Sequence, residues 1–265
     1  MKKTAMLLAL IALGACKQTK KKEMENQPEK ANEPLAEWTY LFDGTSLEGW
    51  RAYNGETLPP GWTIKDSTLT FDTELGLEQD YKGGKDIIYG AAEYDNFELY
   101  LEWKLPEGGN SGIFYHVKEG YGGPPEVSPE YQLIDDENYA EIHDLTEYNS
   151  QFGAEQPSEL QDWQKTGADY AMHVADESQK VLNPVGEWNS SKIVFTPKKV
   201  EHWLNGKKLL EFVPWSEEWN KKKNSGKWDE TPDYGKYKKG FIGLQDHASP
   251  IWFKNIKIKE LPSKN

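Results

Sequence analysis

The chain contains one cysteine, Cys16, so it can form no internal disulfide and no cysteine-built metal site. Basic charge is scarce: 31 Lys and Arg face 44 Asp and Glu, a net charge of −13, which argues against nucleic acid as a partner. The five histidines follow no His-Glu-x-x-His spacing, and no calcium loop with its central glycine is present, so neither a catalytic metal nor a cofactor is expected. "DDENYAEIHD" is acidic but wrongly spaced for a metal site. A Gly-x-Ser-x-Gly elbow and a phosphate-binding glycine loop are also missing, which sets aside serine-triad and nucleotide chemistry. Helical signals are few, and no repeat of fixed period is visible.

What is present begins with Lys2, Lys3 and the apolar run "AMLLALIALGA", too short to span a bilayer and shaped like an export signal. "LGAC" resembles the lipobox of bacterial lipoproteins, in which residues 1–15 would be removed and Cys16 lipidated. An ordinary signal peptide with a chance cysteine is the alternative. Residues 16–36 are charged and rich in Gln, Asn and Pro, the composition of a solvated tether. A single folded domain is expected over 37–262, in an exported lipoprotein facing the periplasm or the cell surface. The 11 Trp and 14 Tyr exceed what such a core needs, and surplus aromatic surface on an exported protein suits sugar rings.

Period-two alternation dominates the domain. In "NFELYLEWKL", Phe97, Leu99, Leu101, Trp103 and Leu105 point one way, and Glu98, Tyr100, Glu102 and Lys104 the other. "SGIFYHV", "EYQLID", "SSKIVFTP", "KVEHWL", "KKLLEFV" and "FIGLQDH" read as further strands. Asn205-Gly206 predicts a type I′ hairpin turn. The fold class is therefore all-β, an antiparallel sandwich or jelly roll with long loops. One short helix is expected in "EQPSELQDWQKTG", capped by Ser158 and ending near Gly167. Segments 119–129, 136–176 and 215–237 break the strand rhythm, and long loops on a rigid sheet usually carry function.

In "PEYQLIDDENYA", alternation puts Glu130 and Gln132 on one face and Asp135 on the other, unless a bulge turns Asp135 inward. Laminarinase-type sandwich glycosidases carry Glu-x-Asp-x-x-Glu, with carboxylates about 5 Å apart. Glu130, Gln132 and Asp135 are a weakened copy of that pattern, so ordinary glycoside hydrolysis is disfavoured. The bland alternative is a solvent-facing edge strand. In "GFIGLQDH", Gln245 and His247 share one face, and a small residue at Gly243 would open space for a ligand. His247 is suited to proton transfer near neutrality, although a lone histidine at a strand end is more often a structural hydrogen-bonder. Asn110, Ser111 and Gly112 read as hairpin residues, with Asn110 a possible ligand contact. Lys104 is a further candidate sugar contact. His116 reads as structural, His143, His173 and His202 carry no motif, and Lys221 to Lys223 read as solvated charge.

Five ordered blocks, "LFDGTSLEGW", "GNSGIFYHV", "PEYQLIDDENYA", "EWNSSKIVFTPKKVEHWLNGKKLLEF" and "GFIGLQDHASPIWFKNIKIKEL", together resemble the 3-keto-disaccharide hydrolase family from about Trp38 to Leu261. The resemblance implies a concanavalin A-like jelly roll, commonly a lipoprotein of glycan-degrading bacteria, that cleaves glycosides already oxidised at C3. The ketone acidifies the C2 hydrogen, so a base can remove it and the enolate can expel the group on C1. Carried over residue by residue, it suggests Glu130 and His247 as proton-transfer groups, Asp135 as an orienting group or acid, and Gln132, Gln245 and Asn110 as donors. Ala248 stands where the family often has glycine, and Lys192 and Lys254 where arginine is common. The implied partners are an oxidised carbohydrate substrate and, through Cys16, a membrane; oligomeric state is left open. The competing readings are a noncatalytic carbohydrate-binding module of the same fold and an ordinary endo-glycosidase.

Overall fold

The computed structural model describes residues 37–262; the proposed signal, the lipid site at Cys16 and the tether lie outside the described residues. Among the described residues, thirteen strands form two antiparallel sheets. They are β1 (Thr39–Phe42), β2 (Trp50–Ala52), β3 (Trp62–Lys65), β4 (Thr68–Phe71), β5 (Ile87–Tyr94), β6 (Phe97–Lys104) and β7 (Asn110–Val117). There follow β8 (Glu130–Ile134), β9 (Asn189–Thr196), β10 (Lys199–Leu204), β11 (Lys207–Phe212), β12 (Gly240–Leu244) and β13 (Ile251–Glu260). The larger sheet runs β11-β10-β9-β6-β13-β4-β3 with β1 also on β13, and the smaller runs β2-β5-β12-β7-β8.

Alternation decides which face of each strand is buried. On β6, Phe97, Leu99, Leu101 and Trp103 are buried and the residues between them lie on the outer face. The core between the sheets joins these to Ile113, Tyr115, Tyr131, Leu133, Ile242 and Leu244 from the smaller sheet. Removing that much apolar surface from water is the main stabilising term. Asn205 and Gly206, at φ 46° and 79°, close the β10–β11 hairpin in the left-handed conformation a type I′ turn requires. His116 and His202 are structural: each is buried, and each accordingly has its pKa pushed down to about 4. His116 bonds the Asp95 carbonyl through Nε2 and His202 the Gly167 carbonyl through Nδ1.

Many of the surplus aromatics cover the outer face of the larger sheet. Lys104 Nζ lies 5.3 Å from the Trp188 ring centre and 5.0 Å from that of Trp252, and Lys254 lies 4.0 Å from Trp188. These contacts bury lysine stems and ring faces together.

The helix expected in "EQPSELQDWQKTG" is only a 3-10 turn at Asp162–Gln164. Side chains take the backbone groups that a helix would use: Asn149 Nδ2 donates to the carbonyls of Pro157 and Glu159, and Gln164 Oε1 accepts from the Gln161 N–H. The α-helices form elsewhere: α1 (Thr73–Glu78), α2 (Tyr139–Ile142), α3 (Thr146–Ser150) and α4 (Glu217–Lys223). Ser216 caps α4, acidic residues open it, and Lys221 to Lys223 form its last turn, with Lys223 buried rather than solvated.

Phe253 is fully buried at the centre of β13. Phe253→Ala should cost about 3–5 kcal/mol, read as a lower urea midpoint at unchanged slope.

Candidate active site

The residues that pack inward on β7, β8 and β12 determine what points outward. Because Ile113, Tyr131 and Leu244 enter the core, Gly112, Glu130, Gln132 and Gln245 fall on the opposite face of the smaller sheet. Regular pairing sets Gly112 against Gln132 and Asn110 against Ile134, and the Gln245 N–H donates to the Gly112 carbonyl at 2.9 Å. The polar side chains therefore form a compact row across three strands. Glu130 lies over Gly112, where a Cβ would come 2.0 Å from Oε1, so only glycine leaves room for the carboxyl.

This row floors a cavity of about 380 Å³. All three long loop segments wall it, contributing Pro125, then Tyr148, Gln164 and Tyr170, then Lys227 and Trp228. His247 stands exposed at its edge. Glu130 is the one carboxylate that lines the cavity among the described residues. Three buried oxygens on its wall, Glu130 Oε1, Asn110 Oδ1 and Gln245 Oε1, have no hydrogen-bond partner in the protein. Unpaired buried polar atoms are costly, and three facing one cavity mark a site for a hydroxylated ligand.

Burial pushes the Glu130 carboxyl well above the usual carboxylate range; the charge of Asp86 adds to the rise, Lys227 opposes it, and Asp169 adds a smaller push. His247 moves the other way, its pKa lowered by desolvation and by the neighbouring His143. The two shifts act in the direction of a protonated Glu130 and an uncharged His247. Lys227 supplies positive charge. Its Nζ lies 4.8 Å from the ring centre of Tyr148, 5.0 Å from that of Tyr170 and 5.1 Å from that of Trp228, and it bonds the Tyr148 hydroxyl. That hydroxyl is 3.0 Å from the hydroxyl of Tyr170.

Residues 37–259 match the family model for the 3-keto-alpha-glucoside-1,2-lyase-like domain. The chain belongs to this family. It is 32% identical over 241 residues to a 3-keto-disaccharide hydrolase of Bacteroides thetaiotaomicron, covering 83% of this chain and 77% of that protein. Two solved Parabacteroides distasonis structures assigned as glycosyl hydrolases are also similar. One has 42% identity, a TM-score of 0.71 and coverage of 85% of this chain and 94% of its own. The other has 28% identity, a TM-score of 0.57 and coverage of 85% and 100%.

Within this family fold, the cavity brings together Glu130, Gln132, Gln245, Asn110 and His247. Asp135 is not among them. The β7–β8 register contains no bulge, and Asp135 lies one residue past β8, where it clamps the turn into α2. Its Oδ2 accepts from Gly108 N and Asn138 Nδ2, and its Oδ1 from the backbone N–H groups of Glu137 and Asn138. Lys104 is likewise elsewhere, held by Trp188 and Trp252 on the outer face of the larger sheet. Gly243 opens no ligand space, because a Cβ there would already meet the Ile87 carbonyl and Phe114 Cβ at 3.3 Å and Val117 Cγ2 at 3.4 Å. Asn110, Ser111 and Gly112 begin β7 rather than forming a hairpin, and Ser111 Oγ donates to the Gln245 carbonyl. Lys227, Tyr148, Gln164, Tyr170 and Trp228 escaped the reading of the sequence. Their one signal was the aromatic content of the long loops.

Gly112→Ala should displace the Glu130 carboxyl and lower turnover about a hundredfold, with the fold retained by circular dichroism. Asp86, whose Oδ1 accepts from Asp246 N, is pushed up to about 7 by burial, with the Asp246 charge contributing. Between its ordinary value of 3.8 and about 7, the folded state holds a proton that the unfolded state releases, so stability falls as pH rises through that window. Asp86→Asn keeps the acceptor and removes the titration. Its gain in stability over wild type should be larger at pH 8 than at pH 4, by on the order of 2 kcal/mol after discounting partial exposure, as read by thermal melts.

Proposed function

We propose that the protein is a carbohydrate-active enzyme that cleaves 3-keto-glycosides by proton abstraction at C2 and elimination at C1. The observation that carries this reading is the composition of the cavity: one buried carboxyl, one imidazole, one lysine and a row of amides. Ordinary glycosidases need two carboxylates flanking the bond, whereas a ketone at C3 needs a base and stabilisation of an enolate. The family membership and the hydrolase name of the Bacteroides relative support the same substrate class.

The opposed pKa shifts support the following roles. Uncharged His247 takes the C2 proton, and the electron pair of the C–H bond moves into the C2–C3 bond as charge develops on the ketone oxygen. Protonated Glu130 donates a hydrogen bond to that oxygen, and the Lys227 charge stabilises it further. The carbonyl then re-forms, a C1–C2 double bond appears and the C1–O bond breaks. The departing oxygen takes the proton held by His247. Water added across the double bond, with OH at C1 and H at C2, yields the free 3-keto sugar. Gln132, Gln245 and Asn110 fix the sugar through its hydroxyls. The N-terminal run and Cys16 support a further element of the proposal, that the enzyme is exported and lipid-anchored.

The test is release of the C1 substituent from a 3-keto-glucoside and from its unoxidised parent by the full chain. Only the keto substrate should be cleaved, with exchange of the C2 hydrogen into deuterated solvent. His247→Ala should abolish exchange and release, and Glu130→Gln should retain part of both because the amide still donates. Turnover should rise with pH through the lowered His247 value, as the base sheds its proton, and fall above the raised Glu130 value, as the donor is lost. Cleavage of the unoxidised parent would overturn the mechanism. Binding without exchange or cleavage would make the protein a carbohydrate-binding module.

A further inference from the structure

A second cavity, of about 500 Å³, adjoins the proposed active site and shares Asn110, Tyr139 and His247 with it. The group leaving C1 of a 3-keto-disaccharide is itself a sugar; we propose that it departs into this cavity and that His143 and Ile142 are the residues that select it. The inference rests on the functional reading above. In that reading the ketone side of the substrate faces Glu130 and Lys227, and the C1–C2 edge faces His247. A group departing from C1 therefore leaves past His247, and the shared wall leads it into the second cavity. The space on the other side, beside Phe152 and Trp163, meets the active site only at Lys227, whose ammonium is boxed in by aromatic rings.

The wall chemistry suits that occupant. His143 is exposed, yet its ring is held on two sides: it packs against Tyr139 with ring centres 4.3 Å apart and planes tilted by 33°, and it bonds the Gly108 carbonyl through Nε2. Ile142 is 51% exposed at the end of α2 and lies against Gly108, where a Cβ would meet its Cδ1 at 2.7 Å. With Pro250 these residues supply apolar wall, while Glu107 and Ser249 supply polar groups. A pyranose has the same division, C–H groups on its faces and hydroxyls around its rim. The Glu107 carboxylate argues for a neutral sugar rather than a phosphorylated or acidic one. His143 also contributes to lowering the His247 pKa, so its ring lies close enough to influence the group that handles the departing oxygen.

The experiment compares a 3-keto-disaccharide that releases glucose with methyl 3-keto-glucoside, whose leaving group is too small to fill the cavity. Full-length wild type, His143→Ala and Ile142→Ala are measured, with melting temperatures recorded for each. Wild type should have the higher kcat/KM on the disaccharide. Each variant should shrink that preference, His143→Ala by about tenfold, chiefly through KM for the disaccharide. Ile142 is exposed, so its truncation carries the test if His143→Ala fails to fold. An unchanged preference, or equal losses on both substrates, would overturn the subsite while leaving the reaction standing. Failure of wild type to cleave either keto substrate would overturn the reaction, and the subsite with it.

Discussion

The site depends on apolar packing beneath it. Ile113 and Tyr115 on β7, Tyr131 and Leu133 on β8, and Ile242 and Leu244 on β12 fill the interior against the larger sheet. A strand's side chains alternate, so this packing leaves no choice for the residues between them: Asn110, Gly112, Glu130, Gln132 and Gln245 must emerge on the other face. A slip of one residue in any of these strands would put a carboxyl or an amide in the core. The cost of that error holds the register, and the register places the polar row. The sandwich therefore orients the site as a consequence of its own stability.

On that row the balance of desolvation and charge sets the chemistry. Gly112 lets Glu130 lie flat on the sheet, where burial holds its proton, and the nearby charge of Asp86 strengthens the effect. The opposing lysine comes from a loop more than ninety positions along the chain and is steadied by the rings of Tyr148, Tyr170 and Trp228 rather than by a carboxylate. Aromatic faces hold a cation without neutralising it, so Lys227 stays available as positive charge on the cavity wall. His247, at the opening, sits in a different environment and is pushed toward its uncharged form. Two groups lining one cavity are thus shifted in opposite directions, as an acid and a base require.

The strand pattern was legible because burial on one face writes a period of two into the residues themselves, as in β6. The Asn205-Gly206 turn was legible because few residues tolerate left-handed backbone. The same local logic missed the short helices and misplaced one. Asn149 and Gln164 capture backbone groups around Pro157 and Gln161 through contacts that no local propensity encodes. Asp135 shows the limit on function: its spacing from Glu130 suited a carboxylate pair, and only the unbroken β7–β8 register shows that it serves the turn before α2.

What the sequence determined by itself is the two-sheet architecture, the family, and the facing of Glu130, Gln132 and Gln245, because each follows from alternation or from ordered blocks of residues. What the tertiary structure alone decided is which of those residues share a cavity, which loop side chains close it, and which way each proton is held. Those properties depend on distance and on exclusion of water between segments remote in the chain. Lys227 acts on the charge of Glu130 because the sheet and the loop fold together, and spacing along the sequence carries no record of that approach.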